Sequence, residues 1–158
     1  MAEIQLVVFR LGSEQFAAPI TRVREILRPV RVTRMPRVAG FVRGLFNLRG
    51  QVLPLIDSKA RLGLAPSAAV AGPALAGKDV KARVMVVEAQ GENVGVVVDE
   101  VMEVLRCDEA DLQAPQNVLD LPVGKFLSSV LDLKGRLVLV LDLDRLVEGA
   151  ADGEILAA

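Results

Sequence analysis

The sequence predicts a mainly β protein built as two packed lobes with a few short helices, and three observations predict it. A strand-and-turn unit occurs twice along the 158 residues. The strands are short and punctuated by Gly-containing turns, the pattern of a sandwich or of small barrels. Many strands read as near-continuous apolar runs, which need cover on both faces, and a second lobe packed on the first supplies it.

The first element pair is Val7-Val8-Phe9-Arg10-Leu11, a polar break at Gly12-Ser13-Glu14, then Phe16-Ala17-Ala18-Pro19-Ile20. Its second occurrence is Val84-Met85-Val86-Val87-Glu88, a break at Gln90-Gly91-Glu92-Asn93, then Val94-Gly95-Val96-Val97-Val98. Each reads as a β-hairpin. Directly after them come Val23-Arg24-Glu25-Ile26-Leu27-Arg28 and Val101-Met102-Glu103-Val104-Leu105-Arg106, at a constant offset of 78. Apolar residues at i, i+3 and i+4 predict a short helix in both, with Thr21 and Asp99 as N-caps. The β-branched content leaves a strand open.

A second hairpin follows, first as Leu45–Leu48, Arg49-Gly50 and Gln51–Asp57, then as Val130–Leu133, Lys134-Gly135 and Arg136–Asp142. The offset is now 85, so the second half holds seven extra residues between its blocks. Gly50 and Gly135 suit a turn that needs positive φ. Asp57 and Asp142 end apolar strands and can cap the short helices after them, and Gly63 can close the first at C′. Pro54 lacks a donor N–H, so its strand is expected at an edge or at a bulge.

The stretch 65–77 is rich in Ala, Pro and Gly and carries no charge, which reads as a flexible connection over 65–78. It separates lobe one, about 14–63, from lobe two, about 80–147, with strand exchange between the lobes left open. The small, polar tail at 151–158 is expected to fray.

Composition excludes much chemistry. There is no histidine, hence no commonest general base and no usual ligand of catalytic zinc. With no Trp or Tyr and five Phe, stacking platforms for single-stranded nucleic acid are scarce. Carboxylate pairs such as Asp142 and Asp144 have no third ligand close in sequence. The single cysteine, Cys107, sits beside Asp108 and Glu109, which disfavour a thiolate. No enzyme activity, metal or cofactor is expected. The start of the chain does not read as a signal peptide and no apolar run reaches the length of a membrane span, so a cytoplasmic protein without membrane insertion is expected.

Charge is uneven. Residues 1–61 carry eleven Lys/Arg against four Asp/Glu, a net of +7, and residues 62–158 carry a net of −8. The basic stretch Arg22, Arg24, Arg28, Arg31, Arg34, Arg37 and Arg43 reads as a solvated face. Without a recognition helix or a stacking motif it does not predict nucleic-acid binding. Complementary halves instead suit contacts with other proteins or with another copy.

The blocks Arg22–Leu27, Gly44-Leu45-Phe46-Asn47-Leu48-Arg49-Gly50 and Val52–Asp57, with Val94–Val101 in the second half, resemble the CheW family from about residue 4 to 148. The resemblance implies one CheW-like domain over 1–150, made of two SH3-like five-stranded barrels with a shared apolar interface. It implies an adaptor that binds the regulatory domain of the histidine kinase CheA and the cytoplasmic tip of chemoreceptors, with the receptor in the groove between lobes. Rings through heterologous contacts, by alternation with CheA or by self-association, are also implied. An adaptor for another receptor-linked kinase, such as one serving gliding or twitching motility, fits the same residues.

On that resemblance the partner-binding residues are Val23, Glu25, Ile26, Gly44, Arg49, Val97 and Val98. Arg49 offers a rigid fork that can hold Glu25 or Asp57, or a carbonyl of a receptor. Gly44 reads either as a bulge packed closely on its own chain or as a gap admitting a receptor helix. Val97 and Val98 read as core, with one face of their strand expected to line the groove. Val23 and Ile26 read equally as core and as contact surface.

Overall fold

The computed structural model describes residues 2–36, 40–64, 81–116 and 121–149. Among these described residues there are eleven strands: β1 (Glu3–Leu11), β2 (Glu14–Pro19), β3 (Val23–Leu27), β4 (Val42–Leu48), β5 (Gln51–Asp57), β6 (Arg83–Ala89), β7 (Glu92–Val98), β8 (Glu100–Asp108), β9 (Leu112–Gln113), β10 (Leu127–Leu133) and β11 (Arg136–Leu141). Two one-turn helices, α1 (Ser58–Arg61) and α2 (Leu143–Leu146), follow β5 and β11. The expected connection at 65–78 and the tail at 151–158 lie outside the described residues.

The strands form a six-stranded sheet, β8-β1-β2-β11-β10-β9, and a five-stranded sheet, β3-β6-β7-β5-β4. Sheet membership does not follow the halves of the chain. Hairpin β1–β2 lies with strands from the second half, and hairpin β6–β7 lies with strands from the first. Each is joined to its host by a short parallel pairing, β2 on β11 and β7 on β5. The pairing Val140↔Ala17 repeats as Leu55↔Gly95, so the two lobes share one design.

Alternation along the exchanged strands builds three cores. Leu6 and Val8 face inward with Ala17, Leu131, Val138 and Val140 to fill the six-stranded lobe. Val84, Val86 and Val97 join Phe46, Leu53 and Leu55 to fill the other. The opposite faces, with Val7, Phe9, Phe16, Met85, Val87, Val96 and Val98, meet between the sheets in the largest cluster. Phe9 and Phe16, opposite each other on β1 and β2, lie with their ring centroids 6.4 Å apart in that cluster. Strands covered on both faces are why the sequence shows apolar runs rather than alternation. Each sheet curls round its own core as an open barrel; among the described residues its first and last strands are not paired to each other.

The helices expected at Val23–Arg28 and Val101–Arg106 are strands, and the reason is a duplicated β-bulge. Val23 pairs with Val87 and Glu25 with Val86, leaving Arg24 as the extra residue. Val101 pairs with Phe9 and Glu103 with Val8, leaving Met102 extra. An inserted residue shifts a period of two. It places Val23 with Ile26, and Val101 with Val104, on one face three residues apart, which imitates a helix. Neither expected N-cap exists: Thr21 lies in a 3-10 turn, and Asp99 joins β7 to β8. A second bulge pair leaves Arg43 and Ser128 unopposed, again at equivalent positions.

The expectations for the hairpin turns, for the caps Asp57 and Asp142 and for Gly63 hold. Arg49-Gly50 and Lys134-Gly135 have φ of 50° and 88°, and 54° and 92°, which is type I′ geometry. Asn47 and Asp132 each accept the glycine N–H of their turn. Asp57 accepts from Lys59 and Ala60 N–H, and Asp142 from Arg145 N–H. At Gly63, φ 81°, Gly63 N–H bonds Ala60 O and Leu64 N–H bonds Lys59 O, which ends α1 as a Schellman turn. Pro54 is not on an edge strand, since β5 lies between β7 and β4. Its partner Leu45 spends both backbone groups on Thr33, so Pro54 nitrogen points toward β7, whose pairing begins only at Leu55.

Candidate partner-binding surface

Strand β3 is the edge of the five-stranded sheet, and its bulge turns its side chains in two directions. Val23 packs against the inter-sheet core. Ile26, on the same face but farther out, is 43% exposed. Glu25 points the other way, toward the turn of hairpin β4–β5. There Arg49 meets it with both terminal nitrogens, one at 3.1 Å from Oε1 and the other on Oε2. Arg49 thus takes Glu25 and not Asp57, whose carboxylate is held by Arg43. A fork-to-carboxylate pair fixes geometry more than it adds stability at an exposed site. The guanidinium holds the Glu25 carboxyl below its ordinary range.

The other expected site residues are placed differently. Gly44 has φ 141°, and a Cβ there would stand 2.2 Å from Thr33 O. Its missing side chain makes room for the protein's own chain, so the gap expected for a receptor helix is already filled. Val97 and Val98 are buried, one in the core of the five-stranded lobe and one between the sheets. Neither side chain reaches a surface. The site residues that come together at the surface are Glu25 and Arg49; Ile26 is exposed on the opposite face of β3.

Sequence reasoning missed that this surface is duplicated. The exposed apolar residues Ile26 and Val52 have equivalents in Val104 and Leu137, at offsets of 78 and 85, all at least 43% exposed. Glu103, equivalent to Glu25, is held by Arg136 Nη2 at 2.6 Å. The repeat itself was the signal, read outward instead of inward.

Inter-lobe contacts were missed as well. The Arg61 guanidinium lies 4.3 Å from the Phe41 ring centroid and 4.9 Å from that of Phe126. It donates to the carbonyls of Leu146, Arg145 and Glu148 at the end of α2. Burial pushes its pKa down. Phe41 and Phe126 are themselves equivalent in the repeat.

Among the described residues no group of three or more His, Cys, Asp or Glu could hold a metal ion. Asp142 caps α2 and Asp144 pairs with Arg22, so both carboxylates have structural partners. The Cys107 thiol is pushed up by burial first, then by Asp111 and Asp108 rather than by Glu109. Of the basic stretch, Arg22, Arg24 and Arg43 pair with Asp144, Glu88 and Asp57, and Arg37 lies outside the described residues. No helix among the described residues is long and apolar enough to cross a membrane.

Comparison with known proteins agrees with this architecture. The chemotaxis protein CheW of Rhizobium meliloti is 33% identical over 140 residues, covering 89% of this chain and 84% of that protein. The CheW of Thermotoga maritima is 26% identical over 94% of this chain and 90% of its own length. Protein PilI of Pseudomonas aeruginosa is 37% identical over 93 residues, 59% of this chain and 47% of that protein. The crystal structure of the scaffolding protein TtCheW from Thermoanaerobacter tengcongensis superposes with a TM-score of 0.79 at 29% identity, over 93% of this chain and 94% of that one. A family profile described as CheW-like domain matches residues 5–151, and the chain belongs to that family of chemotaxis scaffold proteins.

Proposed function

We propose that the protein is a non-enzymatic cytoplasmic adaptor that couples chemoreceptor tips to the regulatory domain of CheA, with Glu25, Arg49, Ile26 and Val23 at its contact surface. The observation that carries this reading is the Glu25–Arg49 pair, set on an edge strand whose other face exposes Ile26. A preorganised charged fork on a strand that also exposes apolar area suits contact with another protein. The equivalent patch on the other lobe, with Val104, Leu137 and Glu103–Arg136, supports a molecule that engages neighbours on both sides. Heterologous rings need such a molecule, whether they alternate with CheA or consist of the adaptor alone.

Calorimetric titration with the cognate CheA regulatory domain tests the reading. The wild type should bind, and Arg49→Ala should weaken binding about tenfold while leaving the unfolding midpoint nearly unchanged, as for exposed ion pairs. Absence of binding at tens of micromolar would remove the adaptor reading. A second reading is favoured by the likeness to PilI: the same adaptor serving another receptor-linked kinase system. Binding to that system's kinase and not to CheA would select it.

A further inference from the structure

Among the described residues the chain passes from one sheet to the other at two places, Ile20–Arg22 between β2 and β3, and Asp99 between β7 and β8. Each crossing carries a contact of the same three parts. At the second, Asp99 accepts from Gly12 N–H in the β1–β2 turn at 2.7 Å and from Lys59 Nζ on α1 at 3.1 Å. At the first, Asp144 on α2 accepts from Gln90 N–H in the β6–β7 turn at 2.8 Å. It also accepts from both terminal nitrogens of Arg22, at 3.2 and 3.1 Å. Two of the parts correspond through the repeat, Gly12 to Gln90 and Lys59 to Asp144, whereas the crossing residues stand one place apart, Asp99 corresponding to Thr21 and Arg22 to Glu100. The charges are exchanged: the helix supplies the cation at one crossing and the carboxylate at the other. Packing two first halves together would set Arg22 against Lys59, and two second halves would set Asp99 against Asp144. Only one half of each kind brings opposite charges together.

The two contacts differ in exposure. Lys59 and Asp99 are 15% and 14% exposed, whereas Arg22 and Asp144 are 35% and 45% exposed. Water and salt screen the more exposed Arg22–Asp144 contact more than the Lys59–Asp99 contact. The more exposed one stands at the root of β3. Arg22 precedes Val23, donates also to Glu88 O at 2.8 Å, and is followed by Arg24, which pairs with the Glu88 carboxylate at 3.0 Å.

We propose that Arg22 and Asp144 are positioning residues for partner binding: their pair clasps the root of β3 to the six-stranded lobe and so sets the angle at which Val23, Glu25 and Ile26 are presented. The less exposed Lys59–Asp99–Gly12 contact is the anchor, and the Arg22–Asp144–Gln90 contact is the clasp. What β3 presents itself to rests on the adaptor reading above.

The test uses the full-length chain with Arg22→Gln, Asp144→Ala and both together. Amide exchange at Gln90 and along β3 should accelerate about tenfold in each variant, while Gly12 stays within about twofold of wild type. Titration with the CheA regulatory domain and with a receptor-tip fragment should show about fivefold weaker binding to at least one of them, the same for either substitution and for both combined. Additive losses would mean that Arg22 touches the partner itself, and would overturn the proposal. Unchanged exchange along β3 would also overturn it, as would faster exchange with wild-type affinity. If the wild type binds neither partner, the adaptor reading falls, and the exchange measurements alone decide whether the clasp holds β3.

Discussion

Gly44→Ala is the sharpest perturbation available, because it separates two reasons for a glycine at that position. If the gap serves a partner, the isolated protein loses little when it is filled. The geometry says otherwise. The backbone at Gly44 has φ 141°, which L-residues rarely adopt, and holding one there costs about 1–3 kcal/mol. A Cβ would lie 2.2 Å from Thr33 O and 2.8 Å from Val32 Cγ1. Relief requires the 31–35 segment to move away. That breaks the two backbone bonds between Thr33 and Leu45, 2.8 and 2.9 Å long, each worth about 0.5–1.5 kcal/mol. The sum is about 2–6 kcal/mol, a large share of the roughly 5–15 kcal/mol that stabilises a domain. In urea unfolding, with a slope of about 2 kcal/mol/M, the midpoint should fall by about 1–3 M. Val32→Ala in the same chain should not restore it, since the closer contact is to backbone oxygen. A midpoint within about 0.3 M of wild type, with binding lost, would refute this reasoning and return Gly44 to the partner surface.

Arg61→Ala removes donors to three carbonyls at the end of α2 and a cation from between Phe41 and Phe126. It should cost about 2–4 kcal/mol in urea unfolding, with Arg61→Lys recovering less than half, because an ammonium lacks the planar fork. The Asp144 carboxyl is held below its usual value by the Arg22 guanidinium, then by Gln90 N–H. A depressed folded value stabilises fully above the unfolded pKa of about 3.8 and is lost as pH falls through the folded value. The stability gap between wild type and Asp144→Asn should therefore be constant near neutral pH and close below about pH 4, as measured by thermal unfolding against pH. Val98→Asp should leave no folded protein by circular dichroism, since it puts a carboxylate in the core between the sheets. A folded Val98→Asp that merely fails to bind would make Val98 a surface residue.

What was legible in the sequence was local. The I′ turns at Arg49-Gly50 and Lys134-Gly135, the caps Asp57 and Asp142 and the stop at Gly63 each depend on a few neighbouring residues whose backbone needs are written in their type. The repeat told of two lobes, and the apolar runs told that strands are covered on both faces. The same local reasoning failed at Val23–Leu27 and at Val101–Leu105. A one-residue bulge there converts a strand's period into a helix's, and only pairing with β6 and β1 reveals the extra residue.

The sequence by itself determined the duplicated hairpins, their turns and caps, and the absence of histidine chemistry. Tertiary structure alone decided that each first hairpin is lent to the opposite lobe, and that Gly44 makes room for Thr33. It alone decided that Val97 and Val98 are interior and that Arg22 finds Asp144 across 122 positions of chain. The physical reason is range. Turn and cap energies depend on side chains a few residues apart. Burial and ion pairing depend on which distant surfaces the packed sheets bring within a few ångströms.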